Sequence, residues 1–149
     1  MEMEKLTYTT SNKAVATVDA AGKVTVKGPG VAKITVKAAA TTDYKAASKT
    51  VTVTVAPKKQ SISLINKIKK QLTIKWKKNT KASGYQVVYS TNKKFTGKKT
   101  VRKAKTTTSY KIKGLKKGKK YYVKVRSYKT VNGKRIYGAY STAKKATIQ

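Results

Sequence analysis

The 149-residue chain has no cysteine, no histidine and only four carboxylates: Glu2, Glu4, Asp19 and Asp43. Without cysteine there are no disulfides and no thiolate metal sites. General acid–base catalysis and hard-cation binding both need clustered titratable groups. Four scattered acids, two of them among the first four residues, form no such cluster. The sequence therefore predicts a protein that is not an enzyme and takes neither metal nor cofactor. No stretch approaches the ~20 apolar residues of a membrane span. The opening MEMEKLTYTT lacks the charged-then-apolar layout of a signal peptide. Either the chain is intracellular, or it is a piece of a longer exported protein.

Lysine is what the chain has in excess. Lys and Arg together number 37, and the formal net charge is +33. Residues 1–56 hold eight lysines and all four acids, a net +4. Residues 57–149 hold the other 29 basic residues and no acid, a net +29. Such a break in composition signals a domain boundary. The expected division is a module at 1–56, a short linker at 57–60 and a second module at 61–149. Only Arg102, Arg126 and Arg135 are arginine. Lysine is a hydrated point charge, whereas bidentate phosphate and base-edge recognition favours arginine. The bias suits diffuse attraction to polyanions better than sequence readout.

Strand signals dominate both modules. KVTVK (23–27), KITVK (33–37) and TVTVTV (50–55) alternate branched and polar residues, as half-buried strands do. Ser11-Asn12, Ala21-Gly22 and Gly28-Pro29-Gly30 supply turns between them. The run AAATTDYKAASK (38–49) reads as a loop or one helical turn. In the second module SISLI (61–65), QLTIKW (71–76), GYQVVYS (84–90), TVRKA (100–104), SYKIK (109–113), YYVKVRSY (121–128) and ATI (146–148) recur at regular spacing. That is the signature of an all-β sandwich. Asn132-Gly133 accepts the positive φ angles of a type I′ hairpin turn. The run KIKGLKKGKKYYVKVRSYK (111–129) poses a choice between a basic arm and a strand. Tyr121, Val123, Val125 and Ser127 fall on one side and Lys124 and Arg126 on the other, a period that a disordered arm does not keep. It is a strand.

Residues 61–149 resemble a fibronectin type III domain. Trp76 stands at the end of the second strand, and Tyr85, Val87 and Tyr89 form an inward set on the third. Leu115 precedes Tyr121 by six residues, matching the family's tyrosine corner, in which the phenol bonds nearby backbone. Lys117 departs from the proline often found there. Residues 7–55 resemble the later part of a bacterial immunoglobulin-like domain of group 2. The match runs through Ser11-Asn12, Val15-Ala16-Thr17-Val18-Asp19, Gly22-Lys23-Val24, and Gly30 with Ile34. That family's first two strands would precede Leu6, so either the sequence starts mid-domain or the sheet carries an open edge that something else must cover. The resemblance implies two tandem β-sandwich modules, the first incomplete, in a bacterial surface or secreted protein of the kind found in gut Firmicutes. It implies a spacer, adhesion or cell-wall role.

Four functional readings remain on the residues. Lysine pairs recur at Lys69-Lys70, Lys77-Lys78, Lys93-Lys94, Lys98-Lys99, Lys116-Lys117, Lys119-Lys120 and Lys144-Lys145. The candidate polyanion surface takes Lys93, Lys94, Lys98 and Lys99; Lys116, Lys117, Lys119 and Lys120; then Lys124 and Arg126. The net +29 of residues 57–149 exceeds the ~2–8 units that solubility asks of a small domain. The partners so implied are a polyanionic cell-wall polymer such as teichoic acid, an acidic glycan, or nucleic acid bound non-specifically; the alternative is a solvated face. Tyr122, Tyr128, Tyr137 and Tyr140 could form a stacking platform, or simply suit strands. Asp19 or Asp43 could catalyse a lysine–asparagine cross-link if buried; Asp19 is more simply a turn residue. Finally, the open edge of the first module invites completion, by a neighbouring copy in a strand-exchanged homo-oligomer or by the linker folding back; the alternative is a partial domain that packs on the second module or is partly disordered.

Overall fold

The computed structural model describes residues 5–149. Every regular element among them is a strand, and the chain divides into two compact units at Val55/Ala56.

The first unit contains β1 (Leu6–Thr10), β2 (Ala16–Val18), β3 (Val24–Val26), β4 (Gly30–Ala38) and β5 (Ala47–Val55). An antiparallel sheet runs β1-β4-β5, and β2 pairs with β3 in a separate hairpin. Asp19 builds the hairpin's turn, its Oδ1 accepting the N–H groups of Ala21 at 3.0 Å and Lys23 at 2.8 Å. Gly22 completes the turn at φ 85°, a conformation costly for any residue with a Cβ. The stretch expected as a loop or a helical turn is a loop over 39–46, and β5 begins at Ala47. Val15, Ala16 and Ala32 form the buried core, with Val55 packed against it. Leu6, Val24, Val26 and Val51 are 44%, 41%, 58% and 52% exposed. In the ladders Val51 lies opposite buried Ile34, and Val26 opposite buried Ala16. The exposed valines therefore share the faces that elsewhere in the unit are covered.

The second unit contains β6 (Ile62–Ile65), β7 (Leu72–Trp76), β8 (Gly84–Ser90), β9 (Lys99–Ala104), β10 (Ser109–Ile112), β11 (Lys120–Val131), β12 (Lys134–Tyr137) and β13 (Lys144–Thr147). One sheet is ordered β10-β7-β6 and the other β12-β11-β8-β9, with β13 also paired to β11. The expected alternation packs the space between them. Trp76 and Tyr85 meet at 5.4 Å between ring centroids. Leu72, Ile74, Val87, Tyr89, Val123 and Val125 close around them, with Leu115 also buried. Tyr121 makes the expected corner, its Oη accepting the Lys116 N–H at 3.4 Å. Asn132 at φ 49° and Gly133 at φ 74° turn the hairpin, whose second strand is β12.

Two features depart from sequence expectation. Residues 57–60, expected as a linker, lie against β11: Ser127 Oγ donates to the Lys58 carbonyl at 3.3 Å and accepts from Gln60 Nε2 at 3.4 Å. Fully buried Ser127 needs those partners. And β8 is buried on both faces, not one. Its inward residues meet the core, while Gln86 and Val88, which point the other way, are covered by the side chains described next.

Candidate polyanion-binding surface

An antiparallel chain reverses at every loop, so alternate loops fall at the same end. The registers put residues 66–71, 91–98 and 113–119 together beside the end of β8 and the start of β11. Backbone bonds bind two of these loops to the last residues: Lys70 N–H to the Gln149 carbonyl at 2.9 Å, Leu115 N–H to the Lys70 carbonyl at 3.0 Å, and Gly118 N–H to the Ile148 carbonyl at 2.8 Å. With Lys99 and Lys120 at the adjoining strand starts, this end carries twelve lysines. All twelve are exposed. The loops at the opposite end, 77–83, 105–108 and the turn 132–133, carry four. Because residues 56–149 contain no acid, none of the twelve has a carboxylate side chain within its own unit to pair with.

Eight of the ten residues singled out from sequence lie at this basic end: Lys93, Lys94, Lys98 and Lys99 from one loop, Lys116, Lys117, Lys119 and Lys120 from another. Lys67, Lys69, Lys70 and Lys113 belong with them and were not singled out as site residues. Loop parity alone would have found them.

Lys124 and Arg126 lie instead on the outer face of the β12-β11-β8-β9 sheet, in a stack of alternating rings and cations. Lys124 Nζ sits 4.2 Å from the Phe95 ring centroid and 4.3 Å from that of Tyr140. The Arg126 guanidinium lies 3.8 Å from the Tyr137 centroid and 4.3 Å from that of Tyr140. Tyr137 meets Tyr128 edge-on at 5.8 Å, and Arg135 lies 5.4 Å over Tyr128. Gln86 Oε1 fixes the middle, accepting from Arg126 Nε at 2.7 Å and Tyr140 Oη at 3.0 Å. This layer is what buries Gln86 and Val88. A cation over an aromatic face gains ~0.5–1 kcal/mol at an exposed site, which here takes the place of ion pairs that a unit without acids cannot make. Burial, then the charges of Lys98 and Arg126, hold the Lys124 ammonium below its ordinary pKa, while the two flanking rings favour its charged form.

The tyrosines considered as a stacking platform are thus engaged. Tyr128, Tyr137 and Tyr140 have cations on their rings, and Tyr122 is half-buried on β11. Asp19 and Asp43 are both exposed, so neither offers the buried carboxylate that a lysine–asparagine cross-link requires. No group of three metal-ligating side chains occurs among the described residues, and no helix is long and apolar enough to cross a membrane.

Two all-β units, the second a seven-stranded sandwich with an added β12 hairpin arm and a tyrosine corner, define a tandem immunoglobulin-like and fibronectin type III protein. The chain belongs to the fibronectin type III domain family, whose model matches residues 55–142. Residues 4–41 match the immunoglobulin-like domain of intimin. A Kelch domain-containing protein of Sulfurisphaera tokodaii is 36% identical over 85 residues, which is 57% of this chain but only 11% of that protein. Among solved structures, the sixth fibronectin type III domain of human fibronectin type III domain containing protein 3 aligns at TM-score 0.52 and 15% identity, covering 64% of this chain and 88% of that one. The FN1–FN3 domains of chicken CNTN1 align at TM-score 0.53 and 18% identity, covering 85% of this chain and 47% of that one. At these identities the structural matches establish the fold alone.

Proposed function

We propose that the chain is a non-catalytic module of a bacterial surface or secreted protein, its first unit of the group 2 type and its setting that of Firmicutes surface proteins. In this reading the second unit contributes electrostatic adhesion to polyanions such as a cell-wall polymer or an acidic glycan, and holds nucleic acid only without sequence preference. The observation that carries it is the gathering of twelve lysines, ten from three loops and two from the strand starts beside them, at one end of a unit that has no acid. A surface crowded with one sign of charge raises the local concentration of counter-ions and steers association. Such binding weakens steeply with salt, because each neutralised phosphate releases counterions. Retention on immobilised heparin and on duplex DNA across a salt series tests it. Binding at low salt that is lost well below molar salt supports the reading; no retention at low salt ends it, and strong base preference contradicts its diffuse mechanism.

A second reading concerns the first unit. Leu6 on edge strand β1, Val51 on edge strand β5, and Val24 and Val26 on the β2-β3 hairpin expose apolar surface on faces that a sandwich normally covers. We infer that a second copy can supply strands there, giving a strand-exchanged oligomer.

A further inference from the structure

All three arginines of a chain with 37 basic residues fall on the same face of the same sheet. Arg102, Gln86 and Arg126 occupy one cross-strand row, directly opposite one another on β9, β8 and β11. Arg135 extends the face on β12, opposite Thr130 of β11. The four strands span ~14 Å, three inter-strand spacings. Lysine fills every other basic position, so charge alone does not account for arginine here. What arginine adds is a flat fork that meets a planar oxyanion with two parallel hydrogen bonds.

We propose that this face is a recognition site for the carboxylates of a linear acidic polysaccharide, held by Arg102, Arg126 and Arg135. The inference rests on the polyanion reading above for its class of ligand, but on different residues from the basic end. Arg126 is pre-set for the task. Two tyrosine rings and the Gln86 oxygen hold its guanidinium, so little side-chain freedom remains to be lost when an anion arrives. The charges are available because residues 56–149 contain no Asp or Glu. Single-stranded nucleic acid is the poorer fit, since base stacking needs open ring faces and those of Tyr137 and Tyr140 already carry cations. A duplex is a rigid cylinder, whereas the three arginines spread across a sheet that an extended sugar chain can follow.

The test holds net charge constant. The triple variant Arg102→Lys/Arg126→Lys/Arg135→Lys keeps every positive charge and removes only the forks. Binding of the full chain to alginate, a carboxylated polysaccharide, and to duplex DNA is measured at one low salt concentration, with thermal unfolding as the check on folding. The expected result is an alginate affinity about tenfold weaker, the loss of charge-assisted bidentate bonds, with DNA affinity unchanged within about twofold. The double variant Arg102→Lys/Arg135→Lys alters only two exposed side chains, leaves the contacts of Arg126 with Tyr137, Tyr140 and Gln86 in place, and is expected to lose part of the alginate affinity. Alginate affinity equal to that of the unmodified chain in both variants overturns the proposal, as does an equal loss toward alginate and DNA. An unmodified chain that binds neither polymer at low salt defeats the polyanion reading itself.

Discussion

Replacing Lys116, Lys117, Lys119 and Lys120 by glutamine removes a third of the charge at the basic end without touching what holds it. The loop is fixed through backbone: Leu115 N–H to Lys70, Gly118 N–H to Ile148, and Lys116 N–H to the tyrosine corner. Gly118, at φ 74°, is left in place. The fold should therefore persist, with thermal stability raised by relief of like-charge repulsion. For duplex DNA each neutralised phosphate contributes a slope of about −0.9 in log K against log salt. With four fewer phosphates neutralised the slope flattens by about 3.6, so between 50 and 200 mM salt the unmodified chain should weaken about 150-fold more than the variant. Fluorescence anisotropy with a labelled duplex across that salt range gives both slopes. The control removes the same number of charges from the opposite end, at Lys77, Lys78, Lys81 and Lys105, and should barely move the slope. Equal flattening by the two variants would refute a localised site and leave only net charge.

Three further outcomes follow from other parts of the molecule. Gly84→Ala places a Cβ 2.5 Å from Tyr128 Oη and 2.7 Å from the Lys103 carbonyl, so urea unfolding should show a loss of ~1–3 kcal/mol; a change within error would mean that the Tyr128 ring is not seated on Gly84. Stability of the second unit should pass through a maximum near pH ~10. Below it, Lys124, whose pKa is lowered by burial and then by Lys98 and Arg126, leaves the unfolded chain binding more protons, so stability rises with pH. Above it, Tyr89, whose pKa is raised by burial and then by Tyr110 and Tyr121, leaves the folded chain binding more, so stability falls; a monotonic decline from neutral pH in urea titrations would contradict this. Self-association through the first unit should strengthen as salt screens the second unit's charge, and Val26→Lys/Val51→Lys should abolish it; a monomer by sedimentation at every salt concentration would sink strand exchange.

The fold was legible because its signals are local. Alternation in KITVK, TVTVTV and YYVKVRSY sets a face, and Asn132-Gly133 sets a turn. The Leu115–Tyr121 spacing marks the corner. The site was legible only in its charges. Sequence runs pointed to Lys93–Lys99 and Lys116–Lys120, but which loops meet depends on strand parity, and that brought in Lys67, Lys69, Lys70 and Lys113. Lys124 and Arg126 were grouped with the lysine runs by adjacency in sequence, whereas strand direction carries them onto the sheet. There their partners are Phe95, 29 residues from Lys124, and Gln86, 40 residues from Arg126. No local pattern encodes such pairings. Residues 57–60 were missed for a related reason: a Pro-Lys-Lys-Gln run has the composition of a linker, and only buried Ser127 on a distant strand turns it into packed backbone.

In this reading an anionic polymer seats at the basic end of the second unit and, through Arg102, Arg126 and Arg135, on the outer face of its larger sheet. Titrating an ¹⁵N-labelled full chain with an acidic oligosaccharide and following amide shifts tests it most directly. The predicted shifts concentrate in residues 66–71, 91–99 and 113–120 and around Arg102, Arg126 and Arg135 on the outer sheet face, with loop 77–83 unmoved. Shifts spread evenly over all lysine-bearing segments, or centred on loop 77–83, would contradict it.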